Sequence, residues 1–503
     1  MEIFGYTVSF LDFQDIWMIS TVLFCFLVML DDIFVDVLAL LSGAKPYRMD
    51  SVEFKKMNTI PEKKIAIMIA NWHEDAVLER MVAGNVNNIE YKNYEILLGV
   101  YPNDTATLNA AIRAEKKFAN VRVIVNVKNG PTSKGQMINR MVSYIDQFNK
   151  LTPNNAYDLV VIQDAEDVIH KYSLKLMNLR SVDFDFIQIP VFSLDLPLSK
   201  LTAGVYVDEF TESHTKDLLV RDSYGGGVPS AGVGTVVSTA LVSRLLKLQD
   251  GHFLSESTLT EDYYLGLTCY DLKVKAHFSC EYFEQTDSKT GKPAKEYIAT
   301  REFFPQKVKA SIKQKTRWSL GICLQSLENK RKKRSHFFGN YFLWRDRKGM
   351  ISVPLFISAT LFTLYFLSVY FYSGNWPLLN HASYYDFFIG LMWANLILSI
   401  SRIFQRGYLV YKIYGIRMAM LVPPRWVLSN FINTSALLNA VYQWTRSKIS
   451  GKAPAWSKTD HVIPAGFGEG ALSVNMADLA PARIPLIPIP GPPKRVPSSE
   501  ITN

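Results

Sequence analysis

The chain has 503 residues, with 55 Lys and Arg against 46 Asp and Glu, a formal charge of +9; apolar residues make up 48 % and charged residues 20 %. The apolar fraction excludes a disordered chain, and the charged fraction excludes a bundle lying wholly in lipid. A soluble domain joined to a few membrane spans fits both figures. Cys25, Cys269, Cys280 and Cys323 contain no CxxC pair, so neither a zinc ribbon nor a thioredoxin motif is supported, and reduced thiols facing the cytosol are expected. The basic excess suits nucleic acid, anionic lipid or a nucleotide substrate, and its location decides among them.

Residues 16–30 are nearly all apolar, and the character resumes over 33–41. A helix over 16–41 is about 39 Å long, more than the roughly 30 Å of bilayer hydrocarbon. Charges are costly at the bilayer centre. The span is therefore placed at 11–30, with Asp31, Asp32 and Asp36 at the interface. Glu2, Asp12 and Asp15 stand where a signal peptide has its basic region, which argues against one.

From Lys63 onward, short apolar runs alternate with helical patterns. Strands are predicted at 65–70, 95–101, 121–127 and 159–163, and helices at 79–88, 106–118 and 134–148. This alternation predicts a mostly parallel sheet with helices on both faces, whose ligands bind beyond the carboxyl ends of the strands.

Further spans are predicted at 351–372 and around 387–400. The segment 373–383 between them has no Lys or Arg. Lys45, Arg48, Lys55 and Lys56 follow the first span; Arg345, Arg347 and Lys348 precede the second; Arg402, Arg406, Lys412 and Arg417 follow the third. The positive-inside rule then places 45–348 in the cytoplasm and 373–383 outside. The basic run 330–334 is read as lying near anionic headgroups rather than as a nucleic-acid site. Residues 425–445 are read as an amphipathic helix in the interface, with Val427, Leu428, Phe431, Ile432, Leu438, Val441 and Tyr442 on one face and Asn430, Asn433, Asn439 and Gln443 on the other. Beyond Pro464 the composition is that of a flexible proline-rich tail. The predicted organisation is a membrane helix in 1–44, a cytoplasmic domain in 45–348, membrane and interfacial helices in 349–445, and a cytoplasmic tail in 446–503. The aromatic stretches 365–372 and 384–388 are read as lipid-facing or helix-packing surface rather than as a channel.

Three predicted strand ends carry polar groups: Asn71 to Glu74, Pro102 to Asp104, and Asp164 to Asp167. Neither GxGxxG nor GxxxxGK[ST] is present, so a dinucleotide site or a P-loop is unsupported. Asp164 and Glu166, one residue apart at a strand end, suit a hard divalent cation that also bridges phosphates. The alternative is that each acidic residue caps the next turn or helix. Downstream come Thr260-Glu261-Asp262 and then Gln314-Lys315-Thr316-Arg317-Trp318.

In this order, Asp104, the DxD-like Asp164-Ala165-Glu166, the TED triplet 260–262 and the QxxRW motif 314–318 resemble the membrane-bound family 2 glycosyltransferases, which include the cellulose and hyaluronan synthases. YPND at 101–104, GPTSK at 130–134, DAEDVIH at 164–170 and W-x-K-T-x-H at 456–461 are similar to the glycosyltransferase part of the bacteriophage adsorption protein B family. That resemblance covers about residues 15–465. It implies an α/β, GT-A (Rossmann-like) domain flanked by transmembrane and interfacial helices. It also implies a multi-pass protein of the bacterial inner membrane with its catalytic domain in the cytoplasm. Members of that family often carry a C-terminal cyclic-di-GMP-binding domain, for which the tail is expected to be too short.

The resemblance further implies an inverting transfer from a nucleotide-sugar donor, UDP-hexose or UDP-N-acetylhexosamine, to a glycan or lipid-linked acceptor of a cell-surface or exported polysaccharide. An outer-envelope export partner is implied, and nucleic acid is not. Asp262 is the expected general base, taking the acceptor proton opposite the leaving diphosphate. Glu74 and Asp104 are expected at the nucleoside and Lys134 beside the nucleotide. Asp164 is expected at the donor and, with Glu166, at Mg²⁺ or Mn²⁺, with Asp167 as a further candidate ligand. Glu261, Gln314, Arg317 and Trp318 are expected at the acceptor and diphosphate: Arg317 as a bidentate fork for phosphate, Trp318 as a flat face for a sugar. A plain interfacial anchor is the alternative for Arg317 and Trp318.

Ser230 to Thr235 is a glycine-bearing turn expected near the acceptor, with an ordinary tight turn as the alternative. The polar segment 285–301 is read as a loop closing over the donor, with a simple surface loop as the alternative. Two other functions compete with polymer synthesis: transfer of one sugar to a lipid carrier, and a scaffold for an envelope or phage-receptor partner with a vestigial site.

Overall fold

Ile65–Ala70 (β1) alternates between two hydrophobic cores. Ile65, Ile67 and Ile69 pack on one face of the sheet, and Ala66 and Met68 on the other. A strand buried on both faces must be apolar throughout, which is why such runs read clearly in sequence. The computed structural model describes residues 2–3, 6–7, 10–286, 291, 293–328, 336–374 and 384–451. The basic run 330–334, most of the predicted outer loop, the W-x-K-T-x-H motif and the proline-rich tail lie outside the described residues.

Tyr94–Val100 (β2), Val121–Val125 (β3) and Leu159–Gln163 (β4) join β1 in a parallel block. Phe186–Gln188 (β5), Thr235–Ser238 (β6) and Ala276–Phe278 (β7) complete a seven-stranded sheet of order β7-β5-β6-β4-β1-β2-β3. β6 runs antiparallel to both of its neighbours and the other six strands run the same way, so the sheet is mostly parallel, as expected, with one reversed strand. Leu78–Asn88 (α2) and Thr105–Lys117 (α3) cover one face, and Lys134–Leu151 (α4) covers the other. The α/β class read from the sequence is thus the one found.

The expected loop at 285–301 needs correction. Glu281–Thr286 pairs with Pro293–Tyr297 as an antiparallel hairpin, joined edge-on by Tyr47–Arg48. Tyr282 and Tyr297 are buried and pack against each other, so the segment has an apolar side that its polar average hides. Thr300–Glu302 then pairs with Val191–Ser193.

Phe10–Ser42 (α1) is one continuous helix of 33 residues, about 50 Å long. It packs beside Gly349–Ser373 (α9) and Tyr385–Tyr414 (α10), each long and apolar enough to cross a membrane. Trp17 donates to Ser358, Tyr365 donates to Gln14, and Asn395 donates to the Val22 carbonyl. The aspartates placed at the interface hold the far end of α1. Asp31 and Asp32 pair with Arg345 and Lys348, and Asp36 pairs with Lys216 and Arg402. Arg345 ends Phe337–Arg345 (α8).

Val422–Ser450 (α11) starts on Pro423 and Pro424, where a missing N–H costs nothing. It packs against Leu201–Glu212 (α5) and Val308–Trp318 (α7). Its buried side is Arg425, Ser429, Ile432, Ala436 and Ala440. Val427, Phe431, Leu438, Val441 and Tyr442 are exposed. Two assignments change: Ile432 belongs to the buried side, and Asn433 accepts from Lys315 and donates to Glu209. The helix buries its polar and small side because it docks on charged groups of α5 and α7.

Candidate active site

At the carboxyl end of β4 and the amino end of the antiparallel β6, one cavity gathers most of the expected residues. Lys134, Asp164, Glu166, Glu261, Asp262, Gln314, Arg317 and Trp318 all line it. Lys134 is the first residue of α4, whose N-cap is Ser133. Its ammonium lies 2.5 Å from Asp164 and donates to the Gly232 carbonyl at 3.1 Å. Burial alone would lower the Lys134 pKa, but Asp164 and Glu261 outweigh it and hold the amine charged.

Glu261 and Asp262 open Glu261–Asp271 (α6), where the helix dipole favours negative charge. Asp262 accepts from the Tyr263 N–H at 2.7 Å. Burial raises its pKa, and Lys134 works against that rise. Burial and the neighbouring Asp262 push Glu261 up to about 7. Gly232 adopts φ +80°, and a Cβ there would stand 2.3 Å from an Asp262 oxygen. The glycine turn read as weak therefore has a definite purpose: it lets Asp262 lie over the backbone.

The TED and QxxRW segments are locked together. α7 runs straight into a π-helical segment, Ser319–Gln325. A Cβ on Gly321 would stand 2.3 Å from the Thr260 hydroxyl, and Gln325 accepts from the Leu259 N–H. π-helical turns often mark functional sites. Lys315, between Gln314 and Arg317, pairs with Glu209 at 2.5 Å and donates to Asn433 at 2.8 Å. Trp318 sits edge-on to Tyr206 and tilted against Phe210. Gln314 Oε1 and Arg317 Nε are buried with no hydrogen-bond partner among the described residues. Buried polar atoms are nearly always paired, so orphans gathered in one cavity fit a site made for a polar ligand.

Two expected donor residues stand apart. Glu74 and Asp104 do not line this cavity, although they are neighbours of each other at the ends of β1 and β2. Asp104 is buried, accepts from the His73 N–H at 2.7 Å and caps α3 through Thr107. Burial raises its pKa, but those N–H bonds outweigh it and the net shift is downward. His73 is held at φ 55°, so this carboxylate fixes a strained turn. The capping alternative is thus realised at Asp104. Asp167 is fully buried and accepts from the Asp164 N–H. Burial and the nearby Asp164, Glu302 and Glu166 hold its carboxyl well above the usual range. It shapes the loop that presents Asp164 and does not line the cavity.

Sequence reasoning missed Glu302 and Phe210, both of which line the cavity. Glu302 arrives through strand pairing with Ser193, and Phe210 through packing of α5. Neither has a local motif. Among the described residues no group of three or more His, Cys, Asp or Glu side chains is arranged to hold a metal unaided. Asp164 and Glu166 supply two carboxylate groups on one cavity wall. That set fits an octahedral Mg²⁺ or Mn²⁺ completed by water and substrate phosphates.

Solved structures with similar folds include a mannosyltransferase from Pyrobaculum calidifontis in complex with GDP-Man and Mn²⁺. It is 11 % identical, with a TM-score of 0.47, over 83 % of this chain and 99 % of that one. Another is glucosyl-3-phosphoglycerate synthase from Mycobacterium tuberculosis with Mg²⁺ and UDP, 13 % identical, TM-score 0.28, over 47 % of this chain and 75 % of that one. Among curated proteins, bacteriophage adsorption protein B of Escherichia coli K12 and bacteriophage N4 adsorption protein B of Escherichia coli O157:H7 are each 34 % identical over 456 residues. These cover 88 % of this chain, which spans 61 % of the length of those relatives. The model of glycosyltransferase like family 2 matches residues 61–321, more than half of the chain, from the first residues before β1 to the π-helical segment after Trp318. That match carries the lysine, the carboxylate groups and the QxxRW helix of the cavity within a single segment, and the chain belongs to glycosyltransferase family 2.

Proposed function

We propose that the protein transfers a sugar from a nucleoside-diphosphate sugar to an acceptor hydroxyl, inverting the anomeric centre. The observation that carries this reading is the meeting of a half-buried carboxylate, Asp262, with the cations Lys134 and Arg317 in one cavity at the strand ends. The acceptor oxygen forms a bond to the anomeric carbon as the bond to the diphosphate oxygen breaks. The acceptor proton passes to Asp262, and the bonding pair leaves with the nucleoside diphosphate. The transition state is oxocarbenium-like, and charge grows on the leaving group. Arg317 and Lys134 offset that charge, and the unpaired Nε of Arg317 and Oε1 of Gln314 are free to bind the reacting groups. A divalent cation bound by Asp164 and Glu166 would add positive charge at the diphosphate.

Trp318 offers its face to the acceptor sugar, and Asp104 with Glu74 sets the loop on the nucleoside side. The donor is a UDP-hexose or UDP-N-acetylhexosamine, and the product is a cell-surface or exported polysaccharide made at the inner membrane. There α1, α9 and α10 span the bilayer, residues 45–348 face the cytoplasm, and an outer-envelope partner receives the product.

The test is nucleoside-diphosphate release by the purified protein across a panel of UDP- and GDP-sugars, with Mn²⁺, with Mg²⁺ and with chelator. Metal-dependent turnover of one donor, lost in Asp262→Asn, supports the reading. A folded protein that stays silent with every donor, even after reconstitution in lipid, rejects it in favour of a scaffold.

A further inference from the structure

Asp262 lies where two segments press together, the first turn of α6 and the chain from Val228 to Gly232. A Cβ on Gly266, one turn along α6, would stand 2.8 Å from backbone atoms of Val228, Pro229 and Ser230. A Cβ on Gly232 would stand 2.3 Å from an Asp262 oxygen. With both contacts at the limit of approach, the place of the Asp262 carboxylate follows from how the two segments are held.

One side chain outside the cavity holds both. Asp346 lies in the turn between α8 and α9. Its Oδ2 accepts from the Tyr263 hydroxyl at 2.6 Å, and Tyr263 is the residue whose N–H donates to Asp262. Its Oδ1 accepts from Arg221 Nη1 at 2.8 Å. The Nε of that guanidinium donates to the Gly227 carbonyl at 2.6 Å, pinning the chain one residue before Val228. Tyr263 and Arg221 are buried and the Asp346 side chain is 18 % exposed, so these bonds are shielded from water and of the stronger, charge-assisted kind. The residues beside Asp346 serve other ends. Arg345 and Lys348 pair with Asp31 and Asp32 of α1, and Arg347 donates to Ser326 after the π-helical segment. Asp346 is the member of this turn that reaches α6.

We propose that Asp346 is a positioning residue for transfer: through Tyr263 and Arg221 it clamps α6 to the segment 227–232 and so fixes the Asp262 carboxylate. Asp346, Tyr263 and Arg221 do not line the reacting cavity, so the clamp acts through Asp262 and not on the substrate. Its role in transfer rests on the transferase reading. Asp346 stands three residues before Gly349, so the clamp also ties the base to α9, a helix long and apolar enough to cross a membrane.

The test measures kcat and KM for nucleoside-diphosphate release by the full chain in detergent, and the binding of UDP with Mn²⁺ by the same preparations. Tyr263→Phe removes one arm of the clamp and should lower kcat about tenfold; Asp346→Asn disturbs both and should lower it about a hundredfold. KM for the donor and the affinity for UDP should stay within about twofold. Added to Asp262→Asn, either change should cost less than about twofold more, because the group it positions is already lost. Tyr263→Phe alters a single hydroxyl, so the test stands even if Asp346→Asn does not fold. Unchanged kcat in Tyr263→Phe overturns the proposal. So does a loss shared by UDP affinity, or one that multiplies with that of Asp262→Asn, since either marks a general structural role. Silence of the unaltered protein with every donor overturns the transferase reading and takes this proposal with it, an outcome distinct from an active protein indifferent to Tyr263→Phe.

Discussion

Two charged clusters of this protein use the same residue types to opposite ends. Where α1 meets α8 and α10, the carboxylates Asp31, Asp32, Asp36, Glu212 and Asp217 face the cations Lys216, Arg345, Lys348, Arg402 and Arg406, and each has an opposite partner within 4 Å. At the strand ends, Asp164, Glu166, Glu261, Asp262 and Glu302 face only Lys134 and Arg317 among the cavity's lining residues. The first cluster is balanced and ties a long helix to the domain. The second carries an excess of negative charge and orphaned polar atoms, at a cost in stability that a bound cation and ligand would offset. Balance marks a joint, and imbalance marks a site.

The largest way to break that contrast is Asp262→Asn. Turnover should fall by about a thousandfold, the range for a lost general base, while the thermal unfolding midpoint holds or rises. A drop in stability with activity retained would make Asp262 a joint after all. In the balanced cluster, Arg402→Ala removes one of the three cations on the buried Glu212 and leaves Lys216 and Arg406 in place. A loss of about 1.5–3 kcal/mol is expected in detergent unfolding, the range for a charge-assisted hydrogen bond. Gly232→Ala, at φ +80° and against Asp262, should lower kcat about a hundredfold through displacement of the carboxylate, visible in single-turnover rates.

Smaller effects sharpen the comparison. Glu261 has a folded-state pKa raised to about 7, so its stabilising contribution is complete below its ordinary value and is lost as pH rises towards 7. Glu261→Gln removes that loss. It should raise stability by about 2 kcal/mol at pH 8, with the gain shrinking as pH falls below 6. Lys134 lowers the pKa of Asp262 by favouring its charged form. Lys134→Met should therefore move the acidic limb of the kcat/KM profile to higher pH, by about one unit, beyond any loss in rate. An unmoved limb would separate Lys134 from the base.

Much of the parallel block was legible because its chemistry is local. The runs at 65–70 and 159–163 are buried on both faces and must be apolar along their whole length. The TED and QxxRW residues were legible through their resemblance, in order, to the motifs of family 2 glycosyltransferases. Glu302 was not, because strand pairing carries it to the cavity from beyond a hairpin. Nor was the contact of Asn433 with Lys315 and Glu209, which depends on how three helices dock. Asp104 was legible as a strand-end carboxylate, but only the fold shows it spent on His73 and Thr107.

By itself the sequence determined the α/β class, the positions of the apolar helices and the set of charged residues at the strand ends, since periodicity and spacing act over a few residues. Tertiary structure decided which of those residues share a cavity, which are used up in caps and ion pairs, and which side of α11 is left exposed. Those outcomes depend on burial and on partners hundreds of residues away, and such long-range pairing leaves no periodic trace in the chain.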